Sequence, residues 1–206
     1  MAESAEQVHA RVMAAADENG RVPLPSVASW DIFPWEVVDG ELAPKRLADP
    51  APERVREGEG GVDCSLCGAD QPGVIWTNDR WRLKHLRERS GLPLVLMLEP
   101  VAHLDLPDLD DAMAAEHGVL AVRIARIVEG LPNVARCHVQ RVGDGAEHLH
   151  TWLMARTAGL PSILGSFAVD WDDILPPGPE DVWRADIAAV ATALASYDGR
   201  AVGLDD

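Results

Sequence analysis

The sequence predicts an α+β fold: an antiparallel β-meander sheet with a helix packed on it. Three observations carry this. Val74-Ile75-Trp76, Arg80-Trp81-Arg82-Leu83-Lys84 and Leu94-Val95-Leu96-Met97-Leu98 are successive runs rich in β-branched and aromatic residues, split by Asn78-Asp79 and Ser90-Gly91-Leu92-Pro93. Connections this short join antiparallel strands. Residues 111–128 place Met113, Leu120, Ile124 and Ile127 at helical spacing, so this helix has an apolar stripe for the sheet. Finally, 134–142 and an alternating run ending at Arg156 flank the turn Gly143-Asp144-Gly145, which adds two strands after the helix.

Taken in order, residues 4–18 form a helix that stops at Asn19-Gly20, with His9 on its surface. Residues 21–61 hold six prolines, which rules out long elements. Trp30 to Val38 followed by Asp39-Gly40 reads as an edge strand with a hairpin turn, its two tryptophans packing this arm onto the body. In the second meander strand Arg80, Arg82 and Lys84 share one face, read as a solvated face ahead of a phosphate-binding row. Asp108 or Asp110 caps the central helix, and His117 lies on its stripe as a structural imidazole. A loop follows Arg156, then an acidic stretch with Trp171, then a helix over 180–196 entered at Pro179. We therefore divide the chain into an N-terminal helix and proline-rich arm (1–61), a central domain (62–156) and a C-terminal loop and helix (157–206) that covers a sheet edge or supports a dimer contact.

Composition narrows the function. A chain of 206 residues, 47% hydrophobic, with no apolar run of eighteen, reads as a globular protein. Its N-terminus is acidic and lacks an apolar signal core, which predicts a cytoplasmic protein. A formal charge of −16 opposes binding to long nucleic acid through phosphate neutralisation, yet leaves room for a small anion in a locally positive pocket. Three cysteines are too few and too odd in number for a disulfide framework. Cys64-Ser65-Leu66-Cys67-Gly68 has the spacing of a zinc knuckle or a redox pair; its charged, glycine-rich approach is not a βαβ context, so zinc is favoured. Cys137 reads as a small buried hydrophobe.

Chemistry concentrates at Arg141 to Arg156. On a strand, His148, His150 and Trp152 share one face while Leu149, Thr151 and Leu153 share the other. The run His148-Leu149-His150-Thr151-Trp152-Leu153-Met154 resembles the motif of the histidine triad (HIT) superfamily, His-φ-His-φ-His-φ-φ with φ apolar, with tryptophan in the third place. The galactose-1-phosphate uridylyltransferase branch also departs there, carrying glutamine. The resemblance covers residues 62–156 and includes Glu99-Pro100-Val101-Ala102-His103, which looks like the family segment ending a strand in Pro-x-x-His.

What the resemblance implies is specific. The fold is HIT-like. The metal set of the uridylyltransferase-like branch, a Cys-x-x-Cys, a histidine after the third strand and the first motif histidine, falls on Cys64, Cys67, His103 and His148, with Zn2+ as the ion. The second motif histidine, His150, is the nucleophile toward the α-phosphate of a nucleotide or nucleotide conjugate, giving a nucleotidyl-histidine intermediate. Backbone N–H groups of Gly143 and Gly145 and the guanidinium of Arg141 then stabilise the phosphate oxygens, and Asn78 aligns with the family's ribose-binding position. Trp152 offers one N–H donor and no proton exchange. It donates to a phosphate oxygen or walls the pocket against a base; as it cannot act as a general acid, either the leaving group needs little protonation, or Glu147 or His138 helps, or turnover has been lost. The expected activity is nucleotide hydrolysis or nucleotidyl transfer. The alternatives are a non-catalytic HIT-fold module that binds a nucleotide or partner, and a zinc-stabilised interaction domain. A homodimer is compatible with the family.

Overall fold

In the computed structural model, which describes residues 2–68, 70–86 and 88–204, the meander is built as expected and extended at both edges. Strands β3 (Val74–Thr77), β4 (Trp81–His85) and β5 (Val95–Pro100) follow one another. β6 (Val134–Gln140) and β7 (Thr151–Thr157) come after the long helix α2 (Asp111–Glu129). β7 inserts between β5 and β6, and β8 (Arg200–Ala201) closes the far edge, giving an antiparallel sheet in the order β6-β7-β5-β4-β3-β8. The fold is α+β, as the sequence predicts.

The strand period divides the side chains between two layers. Ile75, Leu83, Leu96, Leu98 and Leu153 meet Leu120, Ile124 and Val128 of α2 and Ile187, Val190 and Leu194 of α4 (Glu180–Ala195) in the principal core. Each such aliphatic side chain contributes about 1.5–3 kcal/mol by leaving water. On the opposite face, Val95 and Met154, with Trp152, pack against Leu92, Ile163, Ala168 and Leu175. α3 (Phe167–Ile174) and Val12 of α1 (Ala5–Ala15) cover that second cluster.

Local chemistry accounts for the helix ends. Ser4 and Gln7 form a capping box that starts α1. It stops at Ala15, short of the expected 18, because the Asp17 carboxylate takes the Asn19 and Arg21 N–H groups, both at 2.9 Å, into a turn. Asp110 caps α2 by accepting from the Met113 N–H at 2.8 Å. The acidic stretch that contains Asp170, Asp172 and Asp173, for which the sequence predicts no element, is a helix. Burial of Ala168 and Leu175 outweighs its acidic surface.

The arm differs from expectation in one respect. Trp35–Val38 (β1) and Glu41–Pro44 (β2) do form a hairpin, with Asp39 and Gly40 at φ 53° and 85° as a type I′ turn requires. However, Trp30 and Trp35 are 53% and 41% exposed, so they do not pack the arm onto the body. The ribbon pairs only with itself and joins no core cluster. The arm is fastened to the body beyond this ribbon, at Arg56, described below.

Asp172 yields a pH prediction. Its carboxylate accepts from the Ser90 hydroxyl and the Leu92 N–H, and burial pushes its pKa up to about 6. The folded chain therefore holds a proton that the unfolded chain releases near pH 4. This stabilisation is complete below about pH 4 and is lost as the pH rises through about 6. Asp172→Asn keeps an acceptor without the charge. Thermal scans should show the variant melting about 3 °C above wild type at pH 7.5, roughly 1 kcal/mol for a chain of this length, with the gap closing by pH 4.5.

Candidate metal centre and histidine site

The extended segment ahead of β7 delivers both motif histidines. The β-ladder itself begins at Thr151, so His148 and His150 lie in the lead-in to the strand, yet alternation persists through it. Leu149 and Leu153 enter the helix-side core, and Thr151 bonds the His117 ring of α2 at 2.8 Å. Burial alone holds His117 below the ordinary imidazole range, which suits that structural role. Trp152 turns to the other layer.

His148 is fully buried. Its Nε2 stands 2.9 Å from the Pro100 carbonyl oxygen. A carbonyl only accepts, so Nε2 carries the proton and Nδ1 presents its lone pair. Burial keeps this ring below the ordinary imidazole range, against the pull of that hydrogen bond, and so neutral. Nδ1 faces the knuckle, 3.6 Å from Cys64 Sγ and 3.4 Å from Cys67 Sγ, while His103 Nδ1 is 3.3 Å from Cys67 Sγ. The four ligand atoms of Cys64, Cys67, His103 and His148 all lie within 4.8 Å of one another. A tetrahedral S2N2 zinc site has sulfur–nitrogen edges of about 3.6 Å, from bonds of about 2.3 and 2.0–2.1 Å. The residues fit such an ion, and the tautomer of His148 is the one a metal needs. Cys137 stays outside the group, its thiol pushed up to about 12 by burial.

The chain before the knuckle closes over this site. Glu57 N–H donates to the Gly145 carbonyl and Glu147 N–H to the Glu57 carbonyl, both at 2.9 Å, adding one rung beside the turn ahead of the motif. Gly58, at φ 73°, passes so close that an added Cβ would stand 2.9 Å from Cys64 Cβ. Arg56 reaches Asp105 at 2.7 Å, Glu147 at 3.2 Å and the Gly143 carbonyl at 3.4 Å. Arg141 also bonds Asp105, at 2.6 Å. Burial alone would push Asp105 up, but the two guanidinium groups hold it below the ordinary carboxylate range. Glu147 lies between Arg56 and His103, its Oε2 3.9 Å from His103 Nε2.

His150 is half-buried. Its Nδ1 is 2.8 Å from its neighbour's carbonyl, His148 O, and by the same reasoning Nδ1 is protonated and Nε2 carries the lone pair. The Trp152 ring stands edge-on, centroids 6.1 Å apart. Glu57 is within electrostatic reach of His150; its carboxylate, bonded by Ser65, is held below the ordinary range by that bond and then by the imidazole.

The predicted residues thus divide. Cys64, Cys67, His103 and His148 converge, with His150 beside them. Arg141, Gly143 and Gly145 form the adjoining turn, bonded to Asp105 and the arm. Asn78 is not brought to this group: its amide bonds Asp198 at 2.8 Å and Glu116 at 3.3 Å, and its oxygen takes the Arg80 and Trp81 N–H groups. Arg56, Glu57, Asp105, Arg82, Lys84 and Glu99 surround the site without being expected there. Arg82 and Lys84, read as a solvated face, are 6% and 7% exposed and lie beneath the knuckle. Glu99, fully buried across the ladder from Arg82, is their counter-charge, a pairing that no local pattern announces. Among the described residues no helix is long and apolar enough to cross a membrane.

No protein-family model matches this chain, and no curated protein does. Solved structures do. A zinc-bound histidine triad family protein from Mycobacterium smegmatis shares 20% identity over 65% of this chain and 93% of its own, with a TM-score of 0.47. A histidine triad (HIT) protein from Sinorhizobium meliloti shares 20% over 58% and 87%, TM-score 0.48. A uridylyltransferase shares 20% over 62% of this chain and 43% of its own, TM-score 0.38.

Proposed function

We propose that this chain is a zinc-stabilised nucleotide-binding protein of histidine triad type that acts at an α-phosphate through His150. Cys64, Cys67, His103 and His148 hold the ion, which ties the knuckle to the start of the motif strand. The observation that carries the reading is the hydrogen bond from His150 Nδ1 to the His148 carbonyl. It fixes the tautomer and leaves Nε2 as a nucleophile. In the first step Nε2 bonds to phosphorus and the P–O or P–N bond to the leaving group breaks, the leaving group keeping the electron pair. In the second, water or an acceptor hydroxyl displaces the imidazole and loses its proton.

Phosphate oxygens need donors. The carbonyls of Gly143 and Gly145 are the groups that bond the arm, so the N–H groups of that turn lie outside those contacts, and Arg141 and Arg56 stand beside it. A ribose role for Asn78 draws no support from its contacts. The test is direct. Protein incubated with a nucleotide labelled at the α-phosphate should retain label that survives alkali and is released by mild acid, as a phosphorus–nitrogen bond behaves. Absence of label with both dinucleoside polyphosphates and 5′-phosphoramidates would remove the enzymatic reading.

A second reading, a binding module without turnover, is favoured by one observation: Trp152 packs into the apolar cluster under α3. It stands where the motif's third histidine would be and offers no transferable proton. Trp152→Ala separates wall from core. A core position should cost about 2–3 kcal/mol in denaturant melts with nucleotide affinity little changed. A stacking wall should lose affinity, read as a smaller nucleotide-induced melting shift, with stability preserved.

A further inference from the structure

We propose that the buried Arg82–Glu99–Lys84 group positions the metal knuckle, so that Arg82, which ligates nothing, sets the affinity of the four-ligand centre; this rests on the zinc reading above. The knuckle is a short 3-10 turn, Ser65–Cys67, with one internal bond, Cys67 N–H to Cys64 O at 3.1 Å. A turn this small does not hold two thiols in a fixed register unaided. Three further carbonyls of the knuckle, those of Ser65, Leu66 and Gly68, are held by side chains. Arg82 Nη2 donates to Leu66 O, and Gln71 Nε2 donates to Ser65 O at 3.2 Å and Gly68 O at 2.8 Å. Gln71 is in turn fixed by Lys84 Nζ, 3.2 Å from its Oε1.

Both cations converge on one carboxylate. Arg82 Nε is 2.8 Å from Glu99 Oε2 and Lys84 Nζ is 3.7 Å from Glu99 Oε1. Removing three charges from water is costly, and three apolar side chains of similar volume would stabilise the sheet at least as well. The group does something an apolar trio cannot: it supplies directed donors to the turn that carries the cysteines. Strand β5 completes the coupling. Glu99 anchors Arg82, and the next residue, Pro100, gives its carbonyl to His148 Nε2. One strand therefore orients the cysteine half of the centre through Arg82 and the histidine half through Pro100. Such outer contacts change metal affinity roughly 10–100-fold in other proteins.

The experiment measures zinc affinity by competition with a chromogenic chelator, and the visible spectrum of the cobalt-substituted protein, on the full chain. Arg82→Met should bind zinc roughly 10–100-fold more weakly than wild type and shift the cobalt bands, with Arg82→Lys intermediate. Val190→Ala, a cavity in the helix-side core, should lower the melting temperature while leaving affinity and spectrum at wild-type values. Wild-type affinity and spectrum in folded Arg82→Met would overturn the proposal and leave the zinc reading standing. If Arg82→Met does not fold, Glu99→Gln decides, and an unchanged affinity there overturns it equally. A wild-type chain that binds neither zinc nor cobalt would bring down the zinc reading itself, and this inference with it.

Discussion

His150→Ala should abolish turnover of a nucleoside 5′-phosphoramidate or dinucleoside polyphosphate, by roughly 10³-fold or more, with metal content and melting temperature within error of wild type. The loss is large because a nucleophile's entire bond-forming contribution disappears, not a fraction of a binding contact. The fold should tolerate the change because His150 is half-buried and its one fixed hydrogen bond is to its own strand. A buried structural histidine would behave oppositely, costing stability and sparing rate. His150→Gly adds a control: free imidazole entering the vacated space should restore part of the activity if the ring acts as nucleophile. Trp152 gives the prediction a second edge. With an indole in the third motif place, the departing group has no nearby acid at that position, so rates should fall steeply as the leaving group becomes more basic. Equal rates in wild type and His150→Ala would end the proposed mechanism.

The parts legible in the sequence are those in which local pattern and tertiary demand coincide. Met113, Leu120, Ile124 and Ile127 repeat at the helical period, and Asp110 caps, so α2 was predictable almost to the residue. Of the four metal-ligand candidates, Cys64 and Cys67 stood out by their spacing, whereas His103 and His148 were picked out by the resemblance of their segments to the histidine triad pattern. What escaped was charge turned inward. Alternating Arg80, Arg82 and Lys84 looks identical whether the face meets water or a carboxylate on the neighbouring strand, and Glu99 lies seventeen residues away from Arg82. The tryptophans of the arm failed for the reverse reason. Size and apolarity predict burial, but a ribbon that pairs only with itself has no layer to bury them against. Trp152 belongs to a third kind. Its meaning depended on α3, whose acidic sequence concealed a helix held by Ala168 and Leu175.

Cys64→Ser and His148→Ala should each lose the metal and lower stability by several kcal/mol, on the order of 3–5, whereas Cys137→Ser should retain it. Metal analysis of gently purified protein should give about one zinc per chain for wild type and for Cys137→Ser. Chelation of wild type should reproduce the melting temperature of the ligand variants, because binding energy available only to the folded chain counts as stability. Stoichiometric zinc in His148→Ala, or metal-free wild type, would contradict the centre. The consequence for chemistry follows from the backbone. His150 Nδ1 is aimed by the carbonyl of His148, and His148 is held at one nitrogen by Pro100 and at the other by the ligand cluster. Loss of the ion frees one end of that chain. Turnover should therefore decline in parallel with metal occupancy, although His150 is not one of the four residues of the centre, and re-addition of zinc to the chelated protein should restore both together.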